Sequence, residues 1–336
     1  MNVLLTGGAG YIGSHTAIAL TQAGLSPVIL DNFSNSNPEV IHRLKTITGL
    51  RFEYIQGDVA DVSLVKKIIQ DHQVRAAIHF AADKAVGESV QHPIKYFKNN
   101  IGGLVGLLSA IQDTDCRDFV YSSSATVYGE PNCVPITEES AVGYTSPYAQ
   151  TKIIGEQILQ TVAQSNASFR LAILRYFNPA GAHESGLIGE DPSDTPNNLV
   201  PYLAQVAIGR RPRLQVFGND YPTPDGTGIR DYIHVMDLAQ GHVASLKALE
   251  QHGNHLVNLG AGRGYSVLEV IRAYGLASNR EIPYEIVGRR SGDIATCFAD
   301  PTLANQLLEW RAKRGLTEIC ESSWKWQSQN PNGYLG

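Results

Sequence analysis

Cysteine is scarce in this chain. Four residues in 336, Cys116, Cys133, Cys297 and Cys320, lie far apart with no CxxC pair. That spacing offers neither a disulfide framework nor a zinc site. Charged residues make up 18%, and the net charge of -5 provides no basic excess for nucleic acid or an anionic membrane. No apolar run approaches the ~20 residues of a membrane-spanning helix. The opening Met1-Asn2-Val3-Leu4-Leu5-Thr6 lacks the basic region and long apolar core of a signal peptide. A reducing cytoplasm is therefore the expected location. Apolar residues at 43% suit a globular protein with a sizeable core. The length suits two domains, or one large domain with a lobe.

Short apolar runs alternate with helical patterns through the first half. Strands are expected at Val3–Thr6, Pro27–Asp31, 52–56, 76–80, 118–122 and 170–175. Helices are expected at Ser14–Ala23, 62–72, 93–112 and 146–164. Strand and helix in alternation predict an α/β fold with a doubly wound parallel sheet, Rossmann-like, whose ligands sit beyond the carboxyl ends of the strands. After about Asn178 turn residues multiply, which predicts a smaller α/β substrate lobe. We therefore expect a dinucleotide-binding domain over 1–177 and a lobe over 178–336. The run Arg230-Asp231-Tyr232-Ile233-His234-Val235 is expected to bring 230–240 back to the first domain's sheet.

Gly7, Gly10 and Gly13 form GxxGxxG between the first strand and the first helix. Without Cβ atoms the backbone can turn sharply and approach a pyrophosphate, whose charge is favoured at a helix amino end. Asp31 ends the second strand, where a carboxylate can accept from both hydroxyls of an adenosine ribose and repel a 2′-phosphate. The next residue is Asn32, not arginine, so the expected cofactor is NAD rather than NADP. Asp58 and Val59 end the third strand near the adenine. Phe80, Ala81 and Ala82 end the fourth, and Lys84 and Asn99 could reach the nicotinamide ribose. Taken alone, Lys84 reads equally as a solvated loop lysine.

Ser124 and the run Tyr148-Ala149-Gln150-Thr151-Lys152 carry the chemistry. Tyr148 and Lys152 are four apart and share a helix face. A phenol titrates near ~10 in water, too high for a base at neutral pH. A nearby ammonium and a positively charged nicotinamide favour its anion. Ser124 can hydrogen-bond the same substrate oxygen. Together these three suit hydride removal from an alcohol carbon. An isolated YxxxK is more often an ordinary amphipathic helix; the glycine loop upstream reverses that reading.

These residues resemble the extended short-chain dehydrogenase/reductase family. Thr6–His15, 84–89, 122–129, 175–179, 217–221, 225–228, 230–235 and Trp324-Lys325-Trp326-Gln327 resemble, more narrowly, the UDP-galactose 4-epimerases. The resemblance spans the chain. It implies tightly held NAD, with Tyr11, Ile12, Asn35, Ser36 and Tyr176 joining the cofactor residues already named. It implies that Tyr148 takes the proton of the sugar 4-hydroxyl, that Ser124 holds the oxygen and that Lys152 holds the nicotinamide ribose. A 4-keto sugar then turns about its diphosphate link and is reduced on its other face. Arg230 and Arg290 are implied as the pyrophosphate clamp, Asn178 and Asn198 as partners of sugar and phosphate oxygens, Leu199 and Phe217 as the uracil walls, and Asp293 as a ribose ligand. Arg290 could instead be solvated, and Asn198 could simply cap a helix.

Cys297 occupies a position where family members carry tyrosine or a smaller residue. A small residue leaves room for a 2-acetamido group, so UDP-N-acetylhexosamines are expected substrates as well. A 4,6-dehydratase would need an acidic pair after Ser124, where Ala125-Thr126 stands. A net-redox dehydrogenase and a catalytically silent NAD-binding sensor are the other readings, the latter opposed by an intact Ser124, Tyr148 and Lys152. Leu104, Leu107, Leu108, Ile111, Ile153, Ile154, Ile158 and Leu159 form apolar stripes that the resemblance would pair in a homodimer through a four-helix bundle; they could also face their own sheet.

Overall fold

Side chains two apart on a strand share a face, and this chain uses the alternation to fill two cores at once. In β1 (Asn2–Thr6) Val3 and Leu5 pack on one side and Leu4 on the other. In β2 (Ser26–Asp31) Ile29 joins the first core, Val28 and Leu30 the second. The same sheet takes β3 (Glu53–Gln56), β4 (Val74–His79), β5 (Asp118–Ser124) and β6 (Arg170–Tyr176). The structure, a computed structural model, describes residues 1–193, 195–290 and 292–335. Helices Tyr11–Gln22, Glu39–Thr48 and Val235–His252 cover the first face; Val62–Asp71, Gly102–Ile111 and Pro147–Ser165 cover the second. Parallel sheets buried on both faces are built this way. Among the described residues no helix is long and apolar enough to cross a membrane.

The later strands are β7 (Asn178–Ala180), β8 (Leu214–Phe217), β9 (Ile229–His234), β10 (His255–Leu259), β11 (Gly264–Ser266), β12 (Tyr284–Val287) and β13 (Thr296–Cys297). The main sheet has seven parallel strands in the order β10-β6-β5-β4-β1-β2-β3. Strand order reverses between β1 and β4, and such a switch point opens a crevice for ligands at the strands' carboxyl ends. A third core, with Leu203, Val216, Tyr232, Val270, Tyr274 and Ile319, fills the smaller lobe.

Two expectations are corrected. The strand around Arg230 does not return to the main sheet, since β9 pairs with β7, β11 and β13. Residues 235–240, opening helix Val235–His252, do return to the first domain and pack in its first core. In β9, Asp231 is fully buried and accepts from the N–H groups of Ala261, Gly262 and Ala299. Only the turns beside the small sheet supply those donors, so they fix the strand there. The strand that does join the main sheet is β10, delivered by helix Val235–His252 and paired to β6 from His255↔Ala172 to Leu259↔Tyr176. The single helix expected over 93–112 is divided: Pro93–Tyr96, a π-helical turn at Phe97–Ile101, then Gly102–Ile111. Such turns recur at functional sites, and this one seats Asn100.

Four histidines are locked in the interior. Burial pushes His15, His79 and His234 down to about 3 and His242 to about 4. Their folded values lie below the ~6.5 of an unfolded histidine, so the unfolded chain binds more protons in acid. Stability is complete above about pH 6.5 and falls as pH drops toward the folded values. At pH 5 each withheld proton costs about 2 kcal/mol, 1.5 units at ~1.4 kcal/mol per unit. Thermal unfolding in buffers from pH 7.5 to 5 should therefore show a steep fall in Tm. A flat profile would contradict the neutral, buried state of these rings.

Candidate active site

β5 ends in three serines at the crevice. Ser122 and Ser124 face one side of the sheet with Val120, Ser123 the other with Phe119 and Tyr121. Ser146 caps the following helix by accepting from Ala149 N–H at 3.2 Å, and Pro147 opens it. This cap sets Tyr148 in the first turn and Lys152 one turn below. Lys152, 4% exposed, donates from Nζ to the Ser122 carbonyl at 2.7 Å and lies 5.8 Å from the centre of the Tyr148 ring. Ser124 Oγ accepts from Thr126 N–H and Oγ1–H at 3.2 and 3.0 Å.

Burial pushes the Tyr148 phenol up to about 12, and its hydrogen bond to Ser124 works against that rise. Burial lowers Lys152 to about 8 while Glu156 holds it up. At neutral pH the protein alone therefore sets a neutral phenol beside an ammonium. The expected lowering of the phenol calls on the positively charged nicotinamide as well as on the lysine. Tyr176 stands next to Ser124 in register and shares a very short hydrogen bond with the Ser122 hydroxyl.

The glycine loop leaves no space on its inner side. Gly7 has φ +69°, and a Cβ there would lie 2.8 Å from Ala81 N; one on Gly13 would lie 2.4 Å from the Gly7 carbonyl oxygen. Gly10 is different, since an added Cβ meets only the Gly7 oxygen, at 3.2 Å. The outer side is thus open over the amino end of helix Tyr11–Gln22, which no side chain caps. The free N–H groups of Tyr11 and Ile12 fit a dinucleotide pyrophosphate. The Tyr11 hydroxyl is committed to the Gly181 carbonyl at 2.7 Å, so this residue offers its backbone.

Asp31 is tied into the loop, accepting from Ala9 N–H at 2.9 Å, Phe33 N–H at 2.9 Å and the Ser36 hydroxyl at 2.8 Å. A carboxylate has about four acceptor positions, so this geometry leaves place for one ribose hydroxyl rather than the two expected. Asn32 closes its own turn onto Ser34 N–H, Asn35 accepts from the Ser193 hydroxyl, and Asp58 accepts from Ala60 N–H. Val59 is buried against the helix at Gly103. Phe80 N–H bonds Thr6 O at 2.9 Å, which brings Ala81 and Ala82 to the mouth of the loop.

Opposite lies the lobe. Asn178 donates to the Asp231 carbonyl at 2.9 Å, and the Arg230 guanidinium donates to the Ile229 carbonyl at 2.8 Å. Arg290 pairs with Asp293 at 2.9 Å and lies 4.6 Å over the Phe217 ring. The two residues expected to hold phosphate and ribose thus hold each other. Leu199 begins a helix, Leu199–Ala207, and packs on the lobe core. Asn198 precedes it without a capping side-chain bond; its amide donates to Glu190 at 3.1 Å. Lys84 reaches the same Glu190 oxygen at 3.2 Å. Cys297 is 9% exposed, pairs with Arg230 in register and packs with Val127 and Phe177; burial raises its thiol to about 11.

Sequence reasoning missed Glu190, which gathers groups from both walls, and Asn100. Asn100 receives Asp83 N–H at 2.8 Å and donates to the Asp83 carbonyl and to Thr151 Oγ1, both at 3.0 Å. It fastens the loop after β4 to the helix carrying Lys152. Asn99, expected at the nicotinamide ribose, hydrogen-bonds the Asp83 carboxylate.

These groups suit a dinucleotide, a proton transfer and an anion, and the whole chain is similar to known proteins. Residues 4–323 match the family described as GDP-mannose 4,6 dehydratase. A UDP-glucose 4-epimerase of Bacillus subtilis (strain 168) is 53% identical over 99% of each chain. Among solved structures, a UDP-glucose-4-epimerase from Stenotrophomonas maltophila with bound NAD and formylated UDP-arabinopyranose superposes with TM-score 0.97 at 48% identity, covering 98% of this chain and 99% of the other. One from Bifidobacterium longum in complex with NAD+ and UDP gives TM-score 0.94 at 48% identity, covering 99% and 100%. By fold, site geometry and end-to-end identity, the chain belongs to the UDP-glucose 4-epimerase family of extended short-chain dehydrogenases/reductases.

Proposed function

We infer that the chain is a UDP-hexose 4-epimerase that holds NAD and interconverts UDP-galactose and UDP-glucose. The observation that carries this is the meeting of Ser124, Tyr148 and Lys152 at the end of β5, in a chain whose glycine loop suits a dinucleotide and whose lobe carries Arg230 and Arg290. Bound NAD supplies an acceptor for the C4 hydride that also gives it back, so net redox is zero. Tyr148 takes the proton of the sugar 4-hydroxyl and later returns it. Ser124 orients that oxygen. Lys152, titrating near 8, keeps its charge at pH 7 and stabilises the phenolate.

Arg230 and Arg290 suit a diphosphate because a guanidinium fork matches its oxygens. Arg290 must release Asp293 to do so, which frees that carboxylate for a ribose hydroxyl. Asn178, Asn198, Leu199 and Phe217 complete the nucleotide site and leave the hexose free to turn. A dehydratase needs another acid where the turn after β5 carries Ala125 and Thr126, so the sugar is reduced again without elimination. Functionally, residues 1–177 hold the cofactor and the later lobe holds the UDP-sugar.

The pocket also takes 2-acetamido sugars, because Cys297 is small. Cys297→Tyr is expected to abolish turnover of UDP-N-acetylgalactosamine, at least about 10²-fold, and spare UDP-galactose. Equal losses on both sugars would refute the steric account. The overall test is proton NMR of purified enzyme, without added NAD, given each galacto sugar separately. Appearance of both gluco epimers is the expected result. No conversion even with NAD supplied would overturn the epimerase.

The working form is a homodimer in the cytoplasm. Leu104, Leu107, Ile111 and Leu159 are spent on their own sheet. Val105, 46% exposed, and the partly open Leu108, Ile154 and Ile158 remain for a second copy. All four cysteines are free thiols, in keeping with a reducing compartment.

A further inference from the structure

Directly beneath the catalytic groups lies a second layer that the mechanism does not use. Ser123 and Arg175 are register partners on β5 and β6, one position before the partners Ser124 and Tyr176. Strand alternation turns them toward helix Pro147–Ser165. There they meet Glu156, which continues the row Tyr148, Lys152, Glu156 at intervals of one turn. The Glu156 carboxylate accepts from Ser123 Oγ at 2.5 Å, Arg175 Nε at 2.9 Å and Arg175 Nη2 at 2.6 Å. Both partners of the ion pair are about 5% exposed. The Arg175 guanidinium also lies 4.9 Å over the ring of Tyr128, whose hydroxyl donates to Asn258 at 2.6 Å. Asn258 donates in turn to the Ile136 carbonyl at 2.9 Å.

We propose that Glu156 is a positioning residue for the reaction: by binding Ser123 and Arg175 at once, it locks the helix bearing Tyr148 and Lys152 to the strand ends bearing Ser124 and Tyr176. The proposal rests on the epimerase reading above and names a group that touches neither substrate nor cofactor. Three features carry it. The carboxylate is shared between two strands and one helix, so it fixes their relative height. Its partners immediately precede Ser124 and Tyr176, so a shift there is passed on through a single peptide unit. Its negative charge is one turn below Lys152 and works to keep that ammonium protonated. A buried pair of this kind is weak grounds for stability alone, because desolvation offsets the attraction; alignment is what the geometry provides.

The test uses the full-length enzyme with its retained cofactor. Glu156→Gln keeps the shape and one acceptor oxygen but loses the charge and the two-sided grip. Its kcat on UDP-galactose is expected to fall about 10–100-fold with KM little changed, because small misplacements of reacting groups carry losses of that size. Its alkaline limb should also move to lower pH. The groups facing Lys152 are Tyr148 and Glu156 on its own helix, Tyr121 and the Ser122 carbonyl on β5, and His79 on β4; of these the substitution alters only Glu156. Ser123→Ala provides a milder second variant should the first fail to fold. It removes one hydrogen bond and should lower kcat several-fold, again at unchanged KM.

A lowered Tm with kcat and pH profile as in the wild type, in whichever variant folds, would make the layer merely structural and overturn the proposal. Failure of the wild type to epimerise any UDP-sugar would instead refute the functional reading, and the two failures are thereby distinguished.

Discussion

Tyr148→Phe is expected to lower kcat on UDP-galactose by about 10²–10⁴-fold, the range attributable to one positioned acid/base. The reason is specific to this site. Ser124 is an alcohol, far less acidic than a phenol, whose oxygen already accepts from Thr126, and Lys152 is held as an ammonium against the Ser122 carbonyl, so neither replaces the phenol as the proton acceptor. Tyr176 stands close but is bound to the Ser122 hydroxyl and is itself pushed far up by burial. The substitution deletes one hydroxyl from a partly enclosed ring, and Ser146, Ala149 and Lys152 keep the helix where it is. KM and the retained cofactor should therefore be close to wild type, and steady-state kinetics with a count of NAD per chain will check both. Activity within about tenfold of wild type would mean that another group carries the proton.

Gly13→Ala should be purified empty and inactive. A Cβ at this position would stand 2.4 Å from the Gly7 carbonyl oxygen and 2.7 Å from Gly8 Cα, and both obstacles are backbone. No side chain can rotate away, so the loop itself must open. Gly7 cannot move inward, since it already sits against Ala81 and its N–H is bound to the Leu30 carbonyl at 2.8 Å. Opening also draws Ala9 N–H away from Asp31 and disturbs the adenosine end of the site. A one-methyl change is thus expected to empty the cradle, with a loss of affinity of at least about 10²-fold, or ~2.7 kcal/mol. Release of nucleotide on acid precipitation, measured against wild type, decides it. Gly24→Ala is a fair control, because a Cβ there meets nothing within 4 Å although its φ of +76° carries local strain.

The parts of this protein that were legible in the sequence are those fixed by local rules. The strands of the main sheet up to β6 follow from apolar runs, and the crevice follows from Gly7, Gly10 and Gly13 standing between a strand and a helix. Tyr148 and Lys152 could be paired because a helical turn brings i and i+4 together. What the sequence hid depends on long-range partners. β9 and β10 look alike as short apolar segments, and only the buried Asp231 with its three distant N–H donors decides which joins the small sheet. The π turn at Phe97–Ile101 leaves no mark on hydrophobic periodicity, so nothing in the sequence singled out Asn100. Glu190 reads as one acid in a polar stretch; its role appears only when Lys84 and Asn198 arrive at the same oxygen from opposite walls. Arg290 and Asp293 were each identified, but their mutual pairing was not.

Alternation along β5 has a consequence for how this gene can change length. Ser122, Ser123 and Ser124 are chemically identical, and only parity separates Ser124, proposed to meet substrate, from Ser123, which meets Glu156. One codon inserted or deleted between Asp118 and Ser122 would exchange those faces while leaving the composition of the strand end untouched. The resulting chain would still carry a serine triplet, a tyrosine and a lysine in the right order, and any search for the motif would pass it. Yet its Tyr121 would point into the wrong core, although Arg175 would keep its ion pair with Glu156. Length variants should therefore be tolerated in the exposed turn at Gln112 and Asp113 and purged from within the strand, whatever residues they introduce.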